Sequence, residues 1–181
     1  MKLLIILIFM FVSITQCTPI QLILIDPSDL TKHKEENEDT KRSFYALHTE
    51  NSKDLCEKFF AQIIELCKSI VVVKSGDEYI TTAFYCFDEE DSTTILLIFT
   101  YNQKKNDADI ISALKKILEH IQAEYEKINI TCIILKKTTI HYTHLIKSLG
   151  FEYQSENLEG EYGGWEQYTL PFNDPIPNNE S

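Results

Sequence analysis

The chain has five glycines among its 181 residues, at 76, 150, 160, 163 and 164, so none lies between residues 77 and 149. A glycine-rich phosphate cradle in that middle stretch is therefore missing the residue type whose lack of a Cβ lets the backbone approach a ligand closely. Positive charge is scarce too. Lys and Arg total 17 against 28 Asp and Glu, the formal net charge is −11, and Arg42 is the single arginine. That balance excludes a nucleic-acid partner, because neutralising phosphates needs a basic face. No Cys-x-x-Cys occurs to frame a zinc or redox site. No Gly-x-Ser-x-Gly elbow supports a hydrolase.

What remains is ordinary globular material of one domain's length, 44% apolar and 25% charged. The chain opens with Met1-Lys2, an apolar run from Leu3 to Val12, and then Ser13-Ile14-Thr15-Gln16-Cys17. One charge, an apolar stretch of about ten residues and a polar end have the form of a secretory signal peptide, and the run falls short of the about 20 residues that span a bilayer. The expected organisation is a signal peptide over 1–17, a single domain over 18–172 and a polar tail over 173–181, in an exported, secreted and acidic protein. Ile14-Thr15-Gln16-Cys17 is a loose lipobox, Gln16 being large where a small residue is usual. Cys17 thus stays open as a lipoprotein anchor, and a membrane is a partner only if it is lipidated. Cys56 and Cys67 stand eleven apart in one amphipathic stretch, about 16 Å along a helix, too far to pair. Cys86 and Cys132 fall in apolar strands and read as buried thiols, so free cysteines are expected.

Hydrophobic spacing sets out the elements. Residues 20–25 (IQLILI) read as a strand closed by Asp26-Pro27-Ser28-Asp29, and 31–43 as a solvated loop or frayed helix. From Ser52 to Ser69, Leu55, Phe59, Phe60, Ile63, Leu66 and Cys67 recur at helical spacing. Strands follow at 70–74, 78–87 and 93–101, with turns at Ser75-Gly76-Asp77 and Asp88-Glu89-Glu90-Asp91. A helix over 107–127, a strand over 129–136, a helix over 138–149 stopped by Gly150, and strands at 151–154 and 165–170 complete the order. The fold class expected is α/β (α+β): a mixed, mostly antiparallel central sheet of about six to seven strands with helices on both faces, the crossover between 93–101 and 129–136 being parallel. His141 and His144 share a helix face at metal-ligand spacing, but no acid on that helix completes a set, and no metal is expected. Tyr153, Tyr162, Trp165 and Tyr168 could line a pocket or partner surface, or pack the final hairpin.

This order resembles the GNAT fold of acetyl-CoA-dependent N-acetyltransferases, over roughly residues 20 to 172. Leu145-Ile146-Lys147-Ser148-Leu149-Gly150-Phe151 is similar to that family's tyrosine-x-lysine-leucine-glycine-phenylalanine helix end. The resemblance implies that the strand over 93–101, with Phe99 and Tyr101, offers main-chain groups to the pantetheine arm of acetyl-CoA. It also implies that amides at the next helix start receive the pyrophosphate, with Lys104 and Lys105 close by. The family's Gln/Arg-x-x-Gly-x-Gly/Ala pattern falls on Asn106-Asp107-Ala108-Asp109-Ile110-Ile111. Asn106 stands where Gln or Arg belongs, and Asp109 and Ile111 where the two small residues belong. A β-branched Ile111 blocks backbone approach, and the carboxylates of Asp107 and Asp109 are expected to cap the amides and repel a pyrophosphate, which Lys104 and Lys105 offset in part. Ile146 takes the place of the tyrosine that protonates the leaving thiolate. Tyr142, one turn earlier, is the candidate catalytic residue, and no general base is nominated.

Acetyl-CoA is thus the one cofactor implied, and its binding is expected to be weak or absent. The reading is an exported GNAT-like pseudoenzyme acting as a binding or effector module on a protein or small-molecule partner. An active N-acetyltransferase and a lipid-anchored structural envelope protein are the alternatives.

Overall fold

Strand β1 (Ile20–Ile25) stops at Asp26, whose carboxylate accepts from the Ser28 amide at 2.8 Å and starts a 3₁₀ turn, Pro27–Lys32. The computed structural model describes residues 19–48, 53–88, 91–125, 128–135, 140–157 and 164–171. Residues 1–18, which hold the signal-peptide and Cys17 readings, and the tail beyond 171 lie outside the described residues, as does Tyr162.

Helix α1 (Lys34–Leu47) corrects the reading of 31–43 as loop or frayed helix. Its first turns are held by polar contacts, which leave no hydrophobic period to read. Lys74, 6% exposed, reaches Glu35 and Glu36 at 3.3 Å each, and Thr40 bonds Thr82 across a buried 2.8 Å contact. Phe44 and Leu47 then bury fully in its last turn. Helix α2 (Lys53–Leu66) follows, with Cys56, Phe60 and Ile63 buried.

The sheet continues as β2 (Ser69–Ser75), β3 (Glu78–Phe87) and β4 (Thr94–Tyr101). Gly76, at φ 59°, makes the β2–β3 turn in the left-handed region that glycine enters without penalty. Helix α3 (Asp107–Glu124) carries a buried stripe of Ile110, Ala113, Leu114, Ile117, Leu118 and Ile121. It ends before Lys127 because Tyr125 turns extended (φ −123°, ψ 105°) and packs edge-on against Phe87. Strand β5 (Asn129–Leu135), helix α4 (Ile140–Ser148), and strands β6 (Glu152–Asn157) and β7 (Trp165–Leu170) complete the chain.

One seven-stranded sheet results, in the order β1-β2-β3-β4-β5-β7-β6. β4 and β5 run parallel and every other neighbouring pair antiparallel, as expected from a crossover helix between those two strands. β4 alternates strictly. Ile95, Leu97, Phe99 and Tyr101 join the core built with α3 and α4, whereas Ile98 packs on the opposite core of α1 and α2. Cys132 is buried as expected, but Cys86 is half-buried, and the four described cysteines are free.

The aromatic anchor of α1 gives a direct check. Phe44 stands within ring-contact distance of Tyr45, His48, Phe59 and Phe60. Phe44→Ala is expected to cost about 3–5 kcal/mol in urea unfolding, whereas the exposed Glu38→Ala stays within about 0.5 kcal/mol. Equal midpoints for the two variants would contradict a packed α1.

Candidate functional site

The parallel ladder is short. It pairs Thr94 with Asn129, Ile95 with Ile130, Leu96 with Thr131 and Leu97 with Cys132, then ends, although β4 runs on to Tyr101 and β5 to Leu135. The strands therefore part at Ile98, and the main chain of β4 beyond that point has no partner on β5. Buried backbone groups need hydrogen bonds from elsewhere. Helix α4 supplies them through one side chain. The Phe99 amide donates to the Tyr142 hydroxyl at 3.2 Å, and that hydroxyl donates to the Phe99 carbonyl at 2.7 Å. A phenol can accept and donate at once, so the contact is fully used. The two rings stack, centroids 4.2 Å apart at 18°.

Tyr142 is buried, and burial, followed by the neighbouring Cys132 thiol, pushes its pKa well above the ordinary 10. A proton donor is most effective with a pKa near the working pH, and this phenol is displaced the other way. Ile146, at the family's tyrosine position, is fully buried in the α3–α4 core.

The preceding residue closes a second contact. His141 Nε2 meets Asp107 Oδ1 at 2.8 Å, and its Nδ1 meets the Tyr101 hydroxyl at 2.9 Å. An ionised carboxylate only accepts, so Nε2 carries the proton, and in the neutral ring Nδ1 accepts from Tyr101. The chain Tyr101–His141–Asp107 thus ties the first turn of α4 to the end of β4 and the first turn of α3. His144 faces solvent instead, apart from His141's partners, and among the described residues no group of three metal-ligating side chains converges.

At the α3 start the cap is Asn106, not the two aspartates. Its side-chain oxygen accepts from the Asp109 amide at 2.9 Å, and its nitrogen donates to the Asp109 carboxylate at 3.1 Å. An Asn cap is favoured because it satisfies an amide that the helix leaves free. Ile111 is half-buried against the α3–α4 core. Lys104 and Lys105 line a polar hollow with Glu35, Asp39, Asp77 and Glu78, and Lys105 is ion-paired to Glu78. Tyr153 and Tyr168 pack edge to face at 5.6 Å, the hairpin-packing option for that aromatic group.

One residue in the opening escaped the sequence reading. A cavity of about 20 Å³ lies where the strands part, lined by His48, Phe59, Ile98, Phe99, Ile133, Ile134 and Tyr142. His48 follows α1 and packs on Phe44, rings 4.5 Å apart. The i, i+4 spacing of Phe44 and His48 was the available signal, hidden once the helix was not read that far. His48 is 7% exposed, its Nδ1 has no hydrogen-bond partner among the described residues, and burial pushes its pKa from 6.5 down to about 4.

Two measurements follow from this geometry. Tyr142→Phe leaves the amide and carbonyl of Phe99 unpaired, and is expected to cost about 1–3 kcal/mol in urea unfolding; no change would mean that water replaces the hydroxyl freely. For His48 the unfolded state binds the proton first, so its share of stability is complete above about pH 6.5 and is lost as pH falls towards about 4. His48→Leu is expected to flatten the pH dependence of stability across that window, and an unchanged profile would contradict a buried neutral imidazole.

No family model and no curated protein matches the sequence. Solved structures do match the fold. An acetyltransferase from Thermus thermophilus is 12% identical with a TM-score of 0.57, covering 86% of this chain and 99% of its own. The ribosomal-protein-S5-alanine acetyltransferase from Vibrio fischeri is 13% identical at a TM-score of 0.56, with 87% and 96% covered. An acetyltransferase of the GNAT family from Streptococcus pneumoniae is 11% identical at 0.57, with 85% and 100% covered. At these identities the likeness is one of fold: the chain has the GNAT architecture.

Proposed function

We propose that this GNAT-fold chain has lost acetyl transfer and works as a binding module, exported through residues 1–17, for a protein or small-molecule partner. The observation that carries the reading is the Tyr142 hydroxyl seated on both main-chain groups of Phe99. Those are among the main-chain groups of β4 that the GNAT resemblance assigns to a pantetheine arm, and a side chain of the protein already satisfies them. The residues present do not fit the rest of acetyl-CoA either. The α3 start offers a pyrophosphate an amide capped by Asn106, an Asp109 carboxylate and an Asp107 carboxylate engaged by His141. A carboxylate beside a diphosphate repels it, by about 1 kcal/mol per close pair in water and more once desolvated. Lys105, the cation nearest in sequence, is held by Glu78.

One observation favours the alternative, an active N-acetyltransferase. The strands still part at Ile98, so an α4 that swung outward would free Phe99 for a coenzyme.

Calorimetric titration separates the two. Acetyl-CoA is expected to give no binding heat at concentrations up to about 1 mM, whereas a micromolar Kd overturns the proposal. The Asp109→Gly, Ile111→Gly double variant opens the helix start, and a gain of coenzyme binding supports the blocked loop. No gain counts against it.

A further inference from the structure

The face of the sheet under α1 and α2 is left partly open. Leu96 and Ile98 of β4 and Ile133 of β5 are half-buried there, and with Phe59, Ile63 and Leu66 of α2 they border a groove of about 180 Å³. Leu66 is 68% exposed at its rim. No charged side chain lines the groove among the described residues, in a chain whose net charge is −11. A neutral apolar trough on so acidic a protein is poorly matched to a cationic or anionic ligand. Phe59, Ile98 and Ile133 line both this groove and the cavity of about 20 Å³ between the strands, one space on either side of the same side chains. The smaller one has room for a single water-sized group. His48 lines it, with an Nδ1 that is fully buried and has no hydrogen-bond partner among the described residues. A buried polar atom without a partner is costly, and a ligand that pairs with it gains accordingly.

We propose that the groove and cavity together form a binding site for an uncharged, elongated apolar molecule ending in a hydroxyl, whose chain lies on Leu96, Ile98 and Ile133 and whose hydroxyl pairs with His48. A hydroxyl suits His48 because an imidazole held neutral by burial repays a neutral donor and gives a carboxylate or ammonium no counter-charge. The site names a ligand class for the binding module proposed above and rests on that reading only for its use. The groove faces α2 rather than α3, so the apolar chain is expected to bind there whether or not acetyl-CoA does, whereas the cavity that takes the hydroxyl shares Phe99 and Tyr142 with the strand opening.

The test uses 1-octanol, methyl heptyl ether (the same length without a donor), octanoate and octylammonium, titrated calorimetrically into the full-length protein. Octanol is expected to bind at least about tenfold more tightly than the ether and than either charged analogue. His48→Leu is expected to erase the preference over the ether, and Leu66→Lys, at an exposed position, to weaken octanol and ether alike. Should His48→Leu fail to fold, the ring ¹⁵N resonances of His48 in the wild type take its place, and they are expected to shift with octanol but not with the ether. Absence of octanol binding, equal binding of the ether, or tighter binding of octylammonium overturns the proposal. So does sedimentation showing a wild-type dimer that Leu66→Lys converts to monomer, since the groove would then be covered by a second copy of the chain.

Discussion

Where two parallel strands diverge inside a protein, the backbone on each side loses its ladder partner, and in a dry interior those groups must be paired by something other than water. In this chain the divergence begins at Ile98, and the something is Tyr142. Its hydroxyl satisfies an amide and a carbonyl together while its ring stacks on Phe99, so one side chain restores both the hydrogen bonding and the packing that the missing strand would have supplied. His141, the residue before it, secures the same turn of α4 to Tyr101 and Asp107. The two contacts therefore reinforce each other: α4 cannot leave the strand opening without also leaving the start of α3.

The two faces of the sheet differ in consequence. On the α3–α4 side, Ile95, Leu97, Phe99 and Tyr101 of β4 are all buried in one continuous core. On the α1–α2 side, the intervening Leu96 and Ile98 are only half covered. Groups near that open face are shaped by apolar surroundings. Burial, then the nearby Cys86 thiol, pushes the Cys67 thiol up to about 12, and burial alone holds His48 neutral. Such thiols are inert as nucleophiles, since the thiolate is the reactive form.

Much of the architecture was legible because its signals are local. β1, β3 and β7 stand where their apolar, β-rich composition placed them, and helical spacing along α3 picked out Ile110, Leu114, Ile117, Leu118 and Ile121 of its buried face, though Ala113 is buried with them and Ile111 only half-buried. The first half of α1 was not legible, since Lys74 and Thr82 hold it through polar contacts made by residues about 40 positions away. The candidate site failed to read for the same reason. Asn106 as cap is a local fact and lies in the sequence, but the Tyr142–Phe99 and His141–Asp107 contacts join residues 43 and 34 positions apart, and no spacing rule reports them. Tyr142 drew notice as a candidate acid; its buried hydroxyl makes it a strand substitute in the fold.

By itself the sequence determined the order of the strands and of the helices after α1, the acidity of the chain, the absence of a glycine cradle before α3 and the bulk of Ile111, all of which follow from residue identity and short-range periodicity. Only the tertiary structure decided that β4 and β5 part after four pairs, that a tyrosine from α4 fills the gap and that His48 is buried beside it with its Nδ1 unpaired among the described residues. These outcomes depend on which backbone groups remain unpaired once the sheet has formed, and that is known only when distant segments have been brought together.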